Sequence, residues 1–129
     1  LLPLDARKVP YPDNYFSYGV ALSILSLLGT EDKVRLLLSE LKRVMAPKGK
    51  IIIDINDHES EFSEGKKQIE KNVFLSKPME NEIKCFCLEN EKDFENLIKD
   101  YFKIEDIGYS SHKIYGKRIN EWIICATKV

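Results

Sequence analysis

A chain of 129 residues with 43% hydrophobic and 32% charged side chains has the composition of one ordinary globular domain. Its 20 basic and 21 acidic residues nearly cancel and are scattered rather than blocked, which leaves no electrostatic footprint for nucleic acid or an anionic membrane. No apolar run approaches the ~20 residues a bilayer span needs, and no signal-peptide pattern opens the sequence.

Leu1 to Asn14 reads as a loop, with prolines at positions 3, 10 and 12 and the turn signal Pro12-Asp13-Asn14. Tyr15 to Ser23 follows as a strand whose aromatic and small apolar residues suit cover on both faces, with Gly19 marking close approach of another backbone. Thr30 is a helix N-cap, and Glu31 and Asp32 put negative charge in the first turn, where the helix dipole favours it. Val34, Leu37, Leu38, Leu41 and Met45 form one apolar stripe. Pro47 ends that helix, and Pro47-Lys48-Gly49 turns the chain into a strand over Lys50 to Ile55, whose three consecutive isoleucines predict burial on both faces.

Residues 57 to 82 are polar and weakly patterned, with a short helix possible over Glu64 to Lys71. Ile83 to Leu88 alternates as a strand. Asn90 caps a second helix that turns Phe94, Leu97, Ile98 and Tyr101 inward. Phe102 to Tyr109 and Glu121 to Thr127 are strands, close enough in sequence to pair as an antiparallel hairpin with a long polar connection.

The pair Asp5-Ala6, the run Val9-Pro10-Tyr11-Pro12-Asp13-Asn14-Tyr15-Phe16, the segment Ala21 to Leu28 and the helix end and turn from Leu41 to Lys50 carry a family resemblance. Together they resemble the second half of the class I S-adenosylmethionine (SAM) dependent methyltransferase domain, from its fourth strand onward. Residues Gly65 to Leu75 resemble an insertion in its small-molecule subgroup. The resemblance implies one α/β domain over residues 1–129, Rossmann-like and partial. Its strands would run in the family order 4-5-7-6, helices on the faces, the last strand antiparallel. It also implies SAM as cofactor and a small-molecule methyl acceptor.

By the same resemblance, Asp5 accepts the adenine amino group, Ala6 offers a backbone N–H to the ring edge, Ala21 and Leu22 line the cofactor cleft, and Ile24 covers the adenine face. A carboxylate suits an exocyclic amine because, ionised, it only accepts hydrogen bonds. Two family features are missing from these 129 residues: the Gly-rich loop after strand one and the acidic residue ending strand two. A half-site of this kind is expected not to bind SAM usefully by itself. Ser17 and Lys48 depart from the family pattern locally.

Asp57 and His58 lie just past the isoleucine strand, where substrate would enter, and are the candidate substrate-binding pair. A histidine there suits a general base, although a loop histidine is the commoner explanation. Cys85, Cys87, His112 and Cys125 could be written as a zinc set, but C-x-C on a strand lacks the knuckle spacing, so no metal is expected. An odd number of cysteines in apolar surroundings points instead to reduced thiols and a cytoplasmic setting. The sequence opens on Leu-Leu-Pro-Leu rather than Met, and reads as a piece of a longer chain. Two functions follow: methyl transfer in the parent protein, with this piece inactive alone, or a non-catalytic half-domain serving assembly or regulation. In either case the strand at residues 15–23 is expected to be an exposed edge through which the chain self-associates.

Overall fold

The apolar stripe beginning at Val34 folds as predicted in a computed structural model, which describes residues 8–61, 66–77 and 80–129. Helix α1 (Glu31–Val44) is capped by Thr30, whose side-chain oxygen accepts the Lys33 N–H at 3.5 Å. Val34, Leu37 and Leu38 are buried along it. Proline is not what stops it. Met45 is already extended, and strand β2 (Met45–Asn56) begins there, with Pro47 inside its first residues.

The expected turn at Pro47-Lys48-Gly49 is therefore a bulge within a strand. Pairing with strand β1 (Phe16–Ala21) jumps from Phe16 opposite Met45 to Tyr18 opposite Lys50. Lys48 takes up the extra length at φ 62°, and a Cβ on Gly49 would come within 2.8 Å of the Ala46 carbonyl oxygen. At Gly19 the close neighbours are the side chains of Met45 and Ile51 rather than a backbone.

The main sheet has the order β1-β2-β7-β6. β1 and β2 are parallel, and β7 (Lys117–Lys128) enters antiparallel between β2 and β6 (Phe102–Ile114). Side chains opposite one another in register share a face. Ile51, Ile53, Ile55, Ile124 and Ala126 thus form one apolar surface, and α1 and α2 (Glu91–Ile98) both pack on it through Leu37, Leu38, Phe94, Leu97 and Ile98. The other face carries Tyr18, Val20 and Ile52, which are 78%, 68% and 42% exposed. Among the described residues this makes two layers, not helices on both faces. The three-isoleucine run is accordingly buried on alternate residues only, and β1 likewise.

The region read as polar and weakly patterned folds as a second sheet. β3 (Lys67–Glu70), β4 (Val73–Ser76) and β5 (Ile83–Phe86) form an antiparallel meander, and where the expected short helix overlaps described residues the chain is β3. All four β3 residues are exposed, so cross-strand hydrogen bonds hold them, not burial, and no hydrophobic period announces them. Asn72 makes the β3–β4 turn at φ 63°. The predicted final hairpin forms, but its polar connection is mostly strand. Only Tyr115 and Gly116, at φ 51° and 75°, lie between β6 and β7, a two-residue turn with both central residues left-handed.

Candidate functional site

Parallel strands must release the chain at their carboxyl ends, and in open α/β sheets this is where ligands enter. After Ala21 the chain runs through a loop and a short 3₁₀ turn (Ser26–Leu28) before α1. Ser23 is held at φ 58°, and its N–H donates to Asp54 Oδ1 at 2.7 Å. Ser26 Oγ accepts the Asn56 N–H at 3.0 Å. These two bonds lash the loop to the end of β2.

The loop has two sides. Leu22 and Ile24 join Tyr11, Phe16, Tyr18 and Ala21 around an apolar groove of about 400 Å³ along the outer edge of β1. Ser23 and Leu27 line a second, more polar cavity of about 260 Å³ with Asn56, His112, Ile119 and Glu121. One turn of chain therefore separates an apolar trough from a polar pocket.

The polar cavity rests on a carboxyl pair. Asp54 is buried at 4% exposure, and the Glu121 carboxyl shares a hydrogen bond with it. Burial first, then that hydrogen bond and the neighbouring charge, push Glu121 up to about 7. Asn56 is 6% exposed and donates its Nδ2 to Ser60 Oγ at 3.0 Å.

Of the residues singled out from the sequence, Ala21, Leu22 and Ile24 come together in the apolar groove. Asp5 and Ala6 lie outside the described residues. Asp57 and His58 sit elsewhere, because the pleat turns Asp54 and Asn56 to one face and Asp57 to the other. Tyr109 donates its hydroxyl to Asp57 Oδ2 at 2.5 Å, and the Glu59 N–H reaches Asp57 Oδ1 at 2.8 Å. Burial and the Asp57 carboxylate push the Tyr109 phenol up to about 12. His58 Nε2 lies 2.9 Å from Asn72 Oδ1 and 3.1 Å from the Cys87 carbonyl, with its ring edge-on to Phe74. His58 thus ties the second sheet to the end of β2, beside the backbone bond from Leu88 N–H to the Asn56 carbonyl, while Asp57 fastens β6 to the same end through Tyr109.

Cys85 and Cys87 are buried against Phe74, and burial pushes the Cys85 thiol up. No group of three or more His, Cys, Asp or Glu among the described residues is placed to hold a metal ion. The Asp54, Asn56 and Glu121 cluster was missed in the sequence, yet Asp54 carried a signal. It is a charged residue inside an isoleucine strand, which persists in a core only with partners.

The Val9 to Asp13 stretch that floors the groove is anchored by Arg43. Its guanidinium donates to the carbonyls of Tyr11 and Val9 at 2.8 and 2.9 Å, to Asp13 at 2.8 Å and to Glu40 at 2.6 Å. Glu40 also accepts the Val9 N–H at 2.8 Å, and Arg43, ahead of that bond, holds its carboxyl down at about 2.

No protein-family model matches the chain, and no curated protein matches it in sequence. Solved structures do. A SAM-dependent methyltransferase from Methanosarcina mazei matches with a TM-score of 0.81 at 18% identity, over 98% of this chain and 65% of that one. The 1,6-didemethyltoxoflavin-N1-methyltransferase of Burkholderia thailandensis, solved with 1,6-didemethyltoxoflavin and S-adenosylhomocysteine, matches at 0.68 and 12% identity over 99% of this chain and 50% of that one. The [4+2]-cyclase SpnF matches at 0.60 and 17% identity over 97% of this chain and 54% of that one. The chain has the SAM-dependent methyltransferase fold, and it spans 50% to 65% of the length of these solved proteins. Identities this low speak for fold alone, and the cyclase is a reminder that one fold carries several chemistries.

Proposed function

We propose that the chain is the carboxyl-terminal part of a SAM-dependent methyltransferase domain whose parent protein methylates a small molecule. On this reading β1, β2, β7 and β6 are the family's strands four, five, seven and six. The observation that carries the reading is the β1 loop, with Leu22 and Ile24 on an apolar groove and Ser23 and Leu27 on a polar cavity. A methyl donor and a methyl acceptor need adjoining sites of that kind, because the transfer depends on proximity and alignment.

The groove fits the cofactor in part. Ala21, Leu22 and Ile24 offer apolar contact for an adenine ring and a methylene chain, whereas among the described residues no charged side chain lines it to take ribose hydroxyls or an amino-acid head group. Bound SAM would supply an electrophilic methyl on a sulfonium. This chain's residues supply one wall, so we expect the isolated chain to be inactive. Nuclear magnetic resonance (NMR) titration with S-adenosylhomocysteine tests this. Shifts at Ala21, Leu22 and Ile24 with Kd of ~1 mM or weaker are expected. Saturation at stoichiometric ligand overturns the half-site, and shifts confined to other residues overturn the groove assignment.

A second reading, a non-catalytic assembly module, draws on the outer edge of β1. Among the described residues it pairs with no strand, and Tyr18 and Val20 stand exposed on it. Such an edge is a template for a second copy. Light scattering after size exclusion is expected to give a dimer that Val20→Lys dissociates, and a wild-type monomer removes this reading.

A further inference from the structure

The polar cavity beside Ser23 has a lopsided chemistry. Glu121 lines it with Asp54 hydrogen-bonded to it, and among the described residues neither lysine nor arginine lines it. Asn56, nine-tenths buried, uses its Nδ2 on Ser60, while its Oδ1 accepts no hydrogen bond among the described residues. Leu27 and Ile119 add apolar surface to the same cavity. Acceptor oxygens and aliphatic walls lining one cavity make a site that recognises a cation with an apolar body.

We propose that this cavity is the acceptor subsite and that it takes a small arylalkylamine, the ammonium against Glu121 and Asn56 Oδ1 and the ring between Leu27 and Ile119. The identification as acceptor subsite rests on the methyl-transfer reading; the amine site stands on the cavity itself. An ammonium has no lone pair to offer a methyl group, so it must first lose a proton. The Glu121 carboxylate takes that proton, the ammonium becoming a neutral amine and the carboxylate a carboxylic acid. Held near neutrality, Glu121 can release the proton to solvent afterwards. Among the described residues the titratable groups facing it are Asp54 from β2 and His112 from β6, and no lysine or arginine lines the cavity.

The test is an amide NMR titration of the chain at pH 8 with three probes of similar size: phenethylamine, 2-phenylethanol and phenylacetate. Phenethylamine should shift the amides of Ser23, Asn56 and Glu121. The alcohol should bind about tenfold more weakly or less, and phenylacetate should leave these amides unmoved. Glu121→Gln should weaken phenethylamine binding about tenfold. Leu27→Trp, at an exposed position, should fill the cavity and abolish binding. Equal affinity for amine and alcohol, undiminished binding to Glu121→Gln or Leu27→Trp, or shifts confined to the apolar groove overturns the proposal. The two readings fail separately. Loss of amine binding with S-adenosylhomocysteine shifts intact removes this site alone. Amine binding together with nucleoside shifts confined to residues outside the apolar groove removes the groove assignment on which the methyl-transfer reading rests and leaves an amine site.

Discussion

Glu121→Gln should make the fold more stable above neutral pH rather than less. The carboxyl rises from 4.5 to about 7 on folding, through burial and then Asp54. Below about 4.5 it is protonated in both the folded and unfolded chain. Between about 4.5 and 7 the unfolded chain gives up its proton first, so stability falls as pH rises, and above 7 the loss is complete. Taken whole, that rise would be ~3 kcal/mol. Glu121 sits at a partly open rim where water screens it, which brings the figure to about 1–2 kcal/mol. Glutamine keeps the shape, cannot ionise, and offers Asp54 an N–H donor. The measurement is thermal unfolding by circular dichroism from pH 5 to 8.5. Wild type should lose about 3–8 °C across that range, and the variant should stay flat in this respect and melt higher at pH 8. A pH-independent wild type, or a variant that melts lower at pH 8, would refute the shared-proton account of the pair.

Tyr109→Phe removes the 2.5 Å donor to Asp57 and should cost about 1–2 kcal/mol in urea unfolding, whereas a change under about 0.5 would make that bond incidental. His58→Ala should speed amide exchange in β3 to β5 about tenfold while β2 and β7 keep their protection, as a sheet fastener would and a mere loop histidine would not. Arg43→Ala should free residues 9 to 13 to exchange while α1 remains protected, since five of its hydrogen bonds converge on that stretch and Glu40.

Periodicity and capping were legible residue by residue. Thr30 and Asn90 cap the helices they were expected to cap, and the stripes from Val34 and from Phe94 face the core. What failed were inferences about cover. Tyr18, Val20 and Ile52 have the composition of residues buried on both sides, yet both helices pack on the opposite face. The β3 strand and the outer half of the last hairpin were invisible because cross-strand hydrogen bonding, which leaves no hydrophobic pattern, holds them.

The candidate site divides in the same way. Ala21, Leu22 and Ile24 could be grouped at one place from sequence because a strand tip is a local property of one stretch, and they do line one groove. The polar cavity could not, because Ser23, Asn56, His112 and Glu121 come from four separate segments that meet only when β7 inserts between β2 and β6. Asp57 and His58 were the natural choice after an isoleucine strand, but side chains on a strand alternate between faces. One residue of pleat assigns Asp54 and Asn56 to the Glu121 side of the sheet and Asp57 to the hydroxyl of Tyr109 on β6. The sequence by itself determined the two helices and the strands with an apolar pattern, because turn chemistry and hydrophobic period act within a few residues. The tertiary structure alone decided which polar groups meet, because strand register and face are set by pairing partners far away in the chain.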